Sequence, residues 1–304
     1  MNPENDPTLN RLIEWGQARP DVRAMLLTST RTVPGADLDR LSDYDVIIAV
    51  SDDPGILPFF ASRDWLEAFG RVLVLYRDPI SSWFNRHQPP SPDGSEEDGA
   101  FAYITQYEED GLKIDFTLIT ASLLRRIAQS PLGEDLDLGY RILLDKDGLT
   151  AGMAAPTHRA YIPRPPSQAR YLEVIELFFH ECTYAAKYLW RDDLLPAKGL
   201  LVETLIGGHL RCMLEWQAEI DAGWSLRLKA HGRGLKKIVA PELWAELESL
   251  YVGPGLQDNW DALWRTIEMF TRLARQVGAA LGYTYPEDMH RRSLAYFKWV
   301  QELP

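Results

Sequence analysis

The sequence predicts an α+β fold: an N-terminal domain with a mixed β-sheet flanked by helices over residues 1–155, then an α-helical bundle domain over 156–304. Three observations carry this. Short apolar runs rich in β-branched residues, such as Val46-Ile47-Ile48-Ala49-Val50, recur in the first part of the chain. Pro156, Pro163, Pro165 and Pro166 then punctuate it. Beyond them the apolar period becomes three and four, through Leu172, Ile175, Phe179, Cys182, Ala186 and Leu189.

Each element follows in order. Leu9, Leu12, Ile13 and Trp15 have helical spacing, so Pro7–Ala18 reads as a helix with Thr8 as its candidate cap. Val22-Arg23-Ala24-Met25-Leu26-Leu27 reads as a buried strand, followed by the small turn Thr28-Ser29-Thr30-Arg31. A strand is expected at 43–50, a short helix over Asp64–Phe69 and a strand over Val72–Tyr76. Pro89–Gly99 carries three prolines, two glycines and four acids, the composition of an exposed loop. Strands at 101–107 and 112–119 are separated by Glu109-Asp110-Gly111. Helices are then expected at Ser167–Trp190, Lys198–Ala222, Pro241–Leu250 and Asn259–Leu281, with a short amphipathic one over 287–301.

Composition narrows the function classes. The chain's 304 residues suffice for two domains with sizeable cores, and 46% hydrophobic content argues against disorder. No apolar run approaches the ~20 residues of a membrane span, and Met1-Asn2-Pro3-Glu4-Asn5-Asp6 lacks a basic, apolar leader, so a cytoplasmic protein is expected. Cys182 and Cys212 sit in apolar helical contexts, as reduced core thiols do. The six histidines show no ligand spacing, which argues against a structural zinc. The net charge of −12 is uneven: residues 1–155 hold 26 acids against 14 Lys and Arg, and the remainder 18 against 18. Nucleic acid is a poor partner for such a surface, whereas a cationic small molecule is attracted to it; the acidity also serves solubility.

The candidate chemistry centres on carboxylates. Asp43 and Asp45 lie two apart at the front of a strand and so project to one face, while Asp115 sits inside Leu112–Ile119. If those strands pair, three carboxylates converge, and they cannot all ionise cheaply without a cation. Hard oxygens suit Mg²⁺ carrying a nucleotide's phosphates. The plainer alternative is an aspartate pair solvating a strand end. Upstream, the small turn Ser29-Thr30-Arg31 offers N–H, O–H and guanidinium donors to phosphate.

That order of strand, small turn, Asp-x-Asp strand and distant Asp strand is the organisation of polymerase-beta-type nucleotidyltransferases. Most of the chain resembles the aminoglycoside 6-adenylyltransferase (streptomycin adenylyltransferase) family. Ser29-Thr30-Arg31-Thr32 lies where that family has Gly-Ser-Arg-Thr, and Leu41-Ser42-Asp43-Tyr44-Asp45 matches its Ser/Gln-Asp-Tyr-Asp element. Glu109 to Leu118 matches its Glu-Asp-Gly-x-Arg-Ile-Asp-x-Thr-Leu element. Ala185-Ala186-Lys187-Tyr188-Leu189-Trp190-Arg191-Asp192-Asp193 looks like its Val-Ala-Lys-Gly-x-Trp-Arg-Asp/Glu-Glu, with Pro196-Ala197-Lys198 and Met213-Leu214-Glu215-Trp216 as further landmarks. Serine stands at the usual glycine in Ser29, threonine at the usual serine in Thr30, and Val33 where asparagine is frequent.

The resemblance implies ATP as donor, Mg²⁺ as cofactor, and AMP passed to a hydroxyl of streptomycin with release of pyrophosphate. It implies Asp43 and Asp45 as metal ligands, with Asp115 sharing a second metal or taking the acceptor's proton. Lys187 and, more weakly, Lys198 are then expected on nucleotide phosphates, with the helical domain closing one wall of the cleft. Asp192 and Asp193 are expected to grip the cationic acceptor or to form an ordinary charged turn. Glu176 and His180 lie on the same helix face as Lys187, either as substrate contacts or as a solvated stripe. Other readings are a nucleotidyltransferase for another small molecule, a protein or RNA, and a non-catalytic nucleotide-binding descendant.

Overall fold

The computed structural model describes residues 6–78 and 101–304, so the expected Pro89–Gly99 loop lies outside the described residues. The chain divides into two compact units, one up to Ala160 and one from Tyr161 to Pro304. The first is α+β and the second is helical.

The first unit is built on six strands: β1 (Val22–Thr28), β2 (Tyr44–Val50), β3 (Val72–Asp78), β4 (Phe101–Tyr107), β5 (Lys113–Thr120) and β6 (Tyr140–Asp145). Their order across the sheet is β3-β4-β5-β2-β1-β6. β2 and β5 run parallel and every other neighbour pair antiparallel, giving the expected mixed sheet. Alternation along each strand sends side chains to two different cores. Tyr44, Val46, Ile48, Ile114, Phe116 and Leu118 meet Leu9, Leu12, Phe60, Trp65, Phe69 and Tyr103 in a large, aromatic-rich core. On the opposite face Leu26, Ile47, Ala49 and Ile119 pack with Ala121, Leu123 and Leu124 in a smaller one. Thr120 caps the helix Ala121–Ala128, its hydroxyl accepting from the Leu123 N–H at 3.2 Å.

Several expectations are corrected. The helix Pro7–Ala18 is capped by Asp6, not Thr8: the Asp6 carboxylate accepts from the N–H of Thr8 (3.0 Å) and Leu9 (3.2 Å). Pro7 has no N–H and takes the first helical position, which makes the residue before it the cap. The helices Ala121–Ala128 and Glu134–Leu138 and the edge strand β6 were absent from the sequence reading. The helix expected over Lys198–Ala222 is three segments: α over Leu194–Lys198, π over Gly199–Leu210, and α again over Arg211–Asp221. In the π segment the buried residues Leu201, Leu205, Ile206 and Leu210 recur at the longer period of i→i+5 bonding, so the period of three and four expected there is not kept.

In the helical unit, Gln168–Trp190 and Leu256–Leu281 contribute most of the core. Phe178 and Phe270 stack across them with centroids 3.6 Å apart. Cys182 is buried and Cys212 half-buried, both free thiols, and burial raises both above the usual thiol range. Among the described residues no helix is long and apolar enough to cross a membrane.

Candidate active site

The pairing of β2 with β5 sets Asp45 directly opposite Asp115. Residues two apart share a face, so Asp43, just before β2, and Lys113, which opens β5, form a second row beside them. Their neighbours Tyr44 and Ile114 point the other way, into the aromatic core. The four charged groups thus occupy the face whose continuation carries the smaller core, at its uncovered end. Asp43, Asp45 and Asp115 are brought together as the sequence led one to expect.

Between two of them lies a cation the sequence reading did not assign. The Lys113 ammonium donates to Asp43 Oδ2 at 2.7 Å and to Asp115 Oδ2 at 2.8 Å. Burial works to lower its pKa, but the bonds to Asp115 and Asp43 prevail and leave it raised. Burial raises the Asp115 carboxyl despite this partner. Asp45 is pushed up to about 6, first by burial and then by the negative charge of Asp115. Against that push, the nearby Ser29 hydroxyl lowers it. The signal for Lys113 was available: it precedes Asp115 by two residues on a strand, the spacing used to pair Asp43 with Asp45.

The turn after β1 is a single 3₁₀ turn, Ser29–Thr32, which brings Ser29 and Thr30 beside the carboxylates through the Thr28–Asp45 register. Ser29 has φ of +63°, the left-handed region that disfavours side chains. Such a conformation is one that glycine adopts without strain, and here serine occupies it. Arg31 has an employment the sequence did not suggest. Its guanidinium donates to the carbonyls of Asp43 (2.9 Å) and Ser42 (2.7 Å) and lies 3.6 Å over the Tyr44 ring. It also stands 3.7 Å from Asp6, with both side chains nearly buried at 11% and 6% exposure. The Tyr44 hydroxyl donates to the same Asp6 carboxylate at 2.9 Å. Arg31, Tyr44 and Asp6 therefore brace the backbone that presents Asp43. Tyr44 and Asp6 were missed, although an acid before Pro7 is itself a capping signal.

Six candidates belong to the helical unit. Glu176 and His180 are exposed on Gln168–Trp190, with His180 edge-on to Tyr184 at 5.0 Å. Lys187 is half-buried on that helix, its ammonium 5.3 Å from the Tyr184 ring. Lys198 donates to the Val252 carbonyl at 2.7 Å. Asp192 and Asp193 are exposed between two helices, Asp192 at φ +57° and Asp193 at the N-cap of Leu194–Lys198. Their charge is unfavourable behind the first helix and favourable ahead of the second, so the two effects partly offset.

A hard divalent cation finds suitable donors in the sheet unit. The groups are carboxylate oxygens, and Asp115 Oδ1 is buried with no hydrogen-bond partner. With the side chains as they lie, no group of three His, Cys, Asp or Glu residues among the described residues is arranged to hold a metal. The positive charge the carboxylates meet is that of Lys113.

Residues 3–300 match the model of a family described as streptomycin adenylyltransferase. The aminoglycoside 6-adenylyltransferase of Bacillus subtilis (strain 168) is 28% identical over 266 residues, 88% of this chain and 87% of its own length. That of Staphylococcus aureus is 26% identical over 278 residues, 91% and 92% of the two chains. A crystal structure of an aminoglycoside 6-adenyltransferase from Bacillus subtilis is 23% identical, covers 97% of this chain and 98% of its own, and has a TM-score of 0.47.

Proposed function

Since this chain belongs to the streptomycin adenylyltransferase family and is a nucleotidyltransferase, we propose that it transfers AMP from ATP to a hydroxyl of a streptomycin-like aminoglycoside, releasing pyrophosphate. The observation that carries the reading is Asp45 opposite Asp115 with Asp43 on the same face. Asp43 and Asp45 would hold Mg²⁺, which when bound neutralises phosphate charge and orients the transferring group. Asp115, directly opposite Asp45, would share a second metal or take the proton of the acceptor hydroxyl. The main-chain N–H groups and hydroxyls of Ser29 and Thr30 cradle phosphate oxygens, while Arg31 keeps the Asp43 segment in place.

The helical domain supplies recognition in this proposal. Lys187, held loosely over Tyr184, reaches nucleotide phosphates. Lys198 joins it only on releasing the Val252 carbonyl. The exposed carboxylates of Asp192, Asp193 and Glu176, with His180, face the cationic acceptor, whose approach the acidic first half favours. The reaction belongs in the cytoplasm, where ATP and Mg²⁺ are supplied.

The test is incubation with ATP, Mg²⁺ and a panel of aminoglycosides, read by mass spectrometry and pyrophosphate release. Streptomycin should gain the mass of one AMP unit. If no aminoglycoside gains it, the acceptor assignment fails.

A further inference from the structure

We propose that Lys113 is a positioning residue that occupies part of the divalent cation's seat before nucleotide arrives, so that lysine and metal compete for the Asp43 carboxylate. The inference rests on the metal reading above.

Its ground is the bridging geometry. One ammonium meets one oxygen of each of two carboxylates at hydrogen-bond distance, 2.7 and 2.8 Å, from strand positions that force it there. Asp45 is left outside this arrangement, opposite Asp115. A metal bonded to Asp43 and Asp45 would place two positive charges beside a third, on the Asp43 carboxylate that Lys113 already uses. The lysine must then give up at least one of its bonds.

Its chemistry suits that exchange. An ammonium on a flexible four-carbon stem is strongly hydrated and takes up solvent readily, unlike a planar guanidinium fixed by two parallel bonds. Lys113 is 27% exposed, so water is within reach. Lysine here holds the carboxylates together without a metal and lowers the site's affinity for a free one. Cation binding is thereby biased toward metal arriving with nucleotide, whose phosphates supply further ligands.

The experiment measures Mn²⁺ binding by calorimetry and electron paramagnetic resonance, without nucleotide, in the full chain. Lys113→Met should bind Mn²⁺ at least ~10-fold more tightly than wild type, because its competitor is gone. The Mn²⁺-induced rise in melting temperature should also be larger in that variant. Lys113→Arg should bind no more tightly than wild type. In wild type, which needs no variant to fold, Mn²⁺ should increase modification of Lys113 by an amine reagent, read by peptide mass spectrometry. Binding abolished by Asp43→Asn and Asp45→Asn yet no tighter in Lys113→Met, or labelling that Mn²⁺ leaves unchanged, overturns the competition alone. Binding absent even from Lys113→Met likewise overturns the competition, whereas binding that survives both aspartate variants overturns the metal reading and this inference with it.

Discussion

The two faces of the sheet are made from alternate residues of the same strands and do opposite work. On β2 and β5, Tyr44, Val46, Ile114 and Phe116 enter a core crowded with Trp15, Trp65, Phe69 and Tyr103. Their intervening neighbours Asp45 and Asp115 lie over a core of Leu26, Ile47, Ala49 and Ile119 that contains no aromatic ring among its fully buried members. One face binds the sheet tightly; the other carries charges that burial disfavours. A rigid platform lets the second face hold groups that would otherwise spread apart.

Substitutions can break this division of labour, beginning with the largest effect. Phe116→Ala should cost ~3–5 kcal/mol of stability by opening a cavity among packed rings, measured by denaturant unfolding. Asp45→Asn should leave the fold intact while turnover falls by roughly 10²–10³-fold, measured by pyrophosphate release. Near-normal turnover would remove Asp45 from the chemistry.

The same variant has a signature in pH. Asp45 titrates near about 6 in the folded protein against the usual 3.8, so the folded state holds its proton more tightly than the unfolded one. Its contribution therefore weakens the protein as pH rises from below 4 through about 6. Asp45→Asn should remove that slope and melt higher than wild type at pH 8 without ligand.

Smaller effects sharpen the boundary between brace and chemistry. Arg31→Lys should lower stability by about 1–3 kcal/mol, since an ammonium cannot serve two carbonyls and the Tyr44 ring as a fork does. Activity lost with stability unchanged would instead return Arg31 to direct phosphate contact. Lys187→Ala should raise the Michaelis constant for ATP and shift stability by less than ~0.5 kcal/mol, the scale of a surface change.

The alternation that separates the two faces is also what the sequence displays best. Asp43, Asp45 and Asp115 were legible because a period of two needs only local spacing. Their pairing was not, since β2 and β5 are parallel neighbours joined by a long excursion through β3 and β4. The spacing of Lys113 from Asp115 repeats the Asp43–Asp45 step, but its bond to Asp43 exists only through the pairing of β2 with β5. The edge strand β6 has only half-buried residues apart from exposed Ile142, so its pattern lacks a clean inward face. Arg31 was read from its charge, and its true neighbours, Tyr44 and the carbonyls of Ser42 and Asp43, depend on a turn of the chain that charge does not reveal.

Asp6 carries a practical consequence for anyone reshaping this protein. One carboxylate starts the first helix, receives the Tyr44 hydroxyl and faces Arg31, so three pieces of chain share a single fastening. A fragment beginning at Pro7 would keep every strand and every carboxylate of the site, yet lose that fastening. Removing the extra residues of a purification tag therefore calls for a cleavage point ahead of Asp6. A truncation series stepping through that residue should show catalytic rate declining in the shortened protein before its sheet melts.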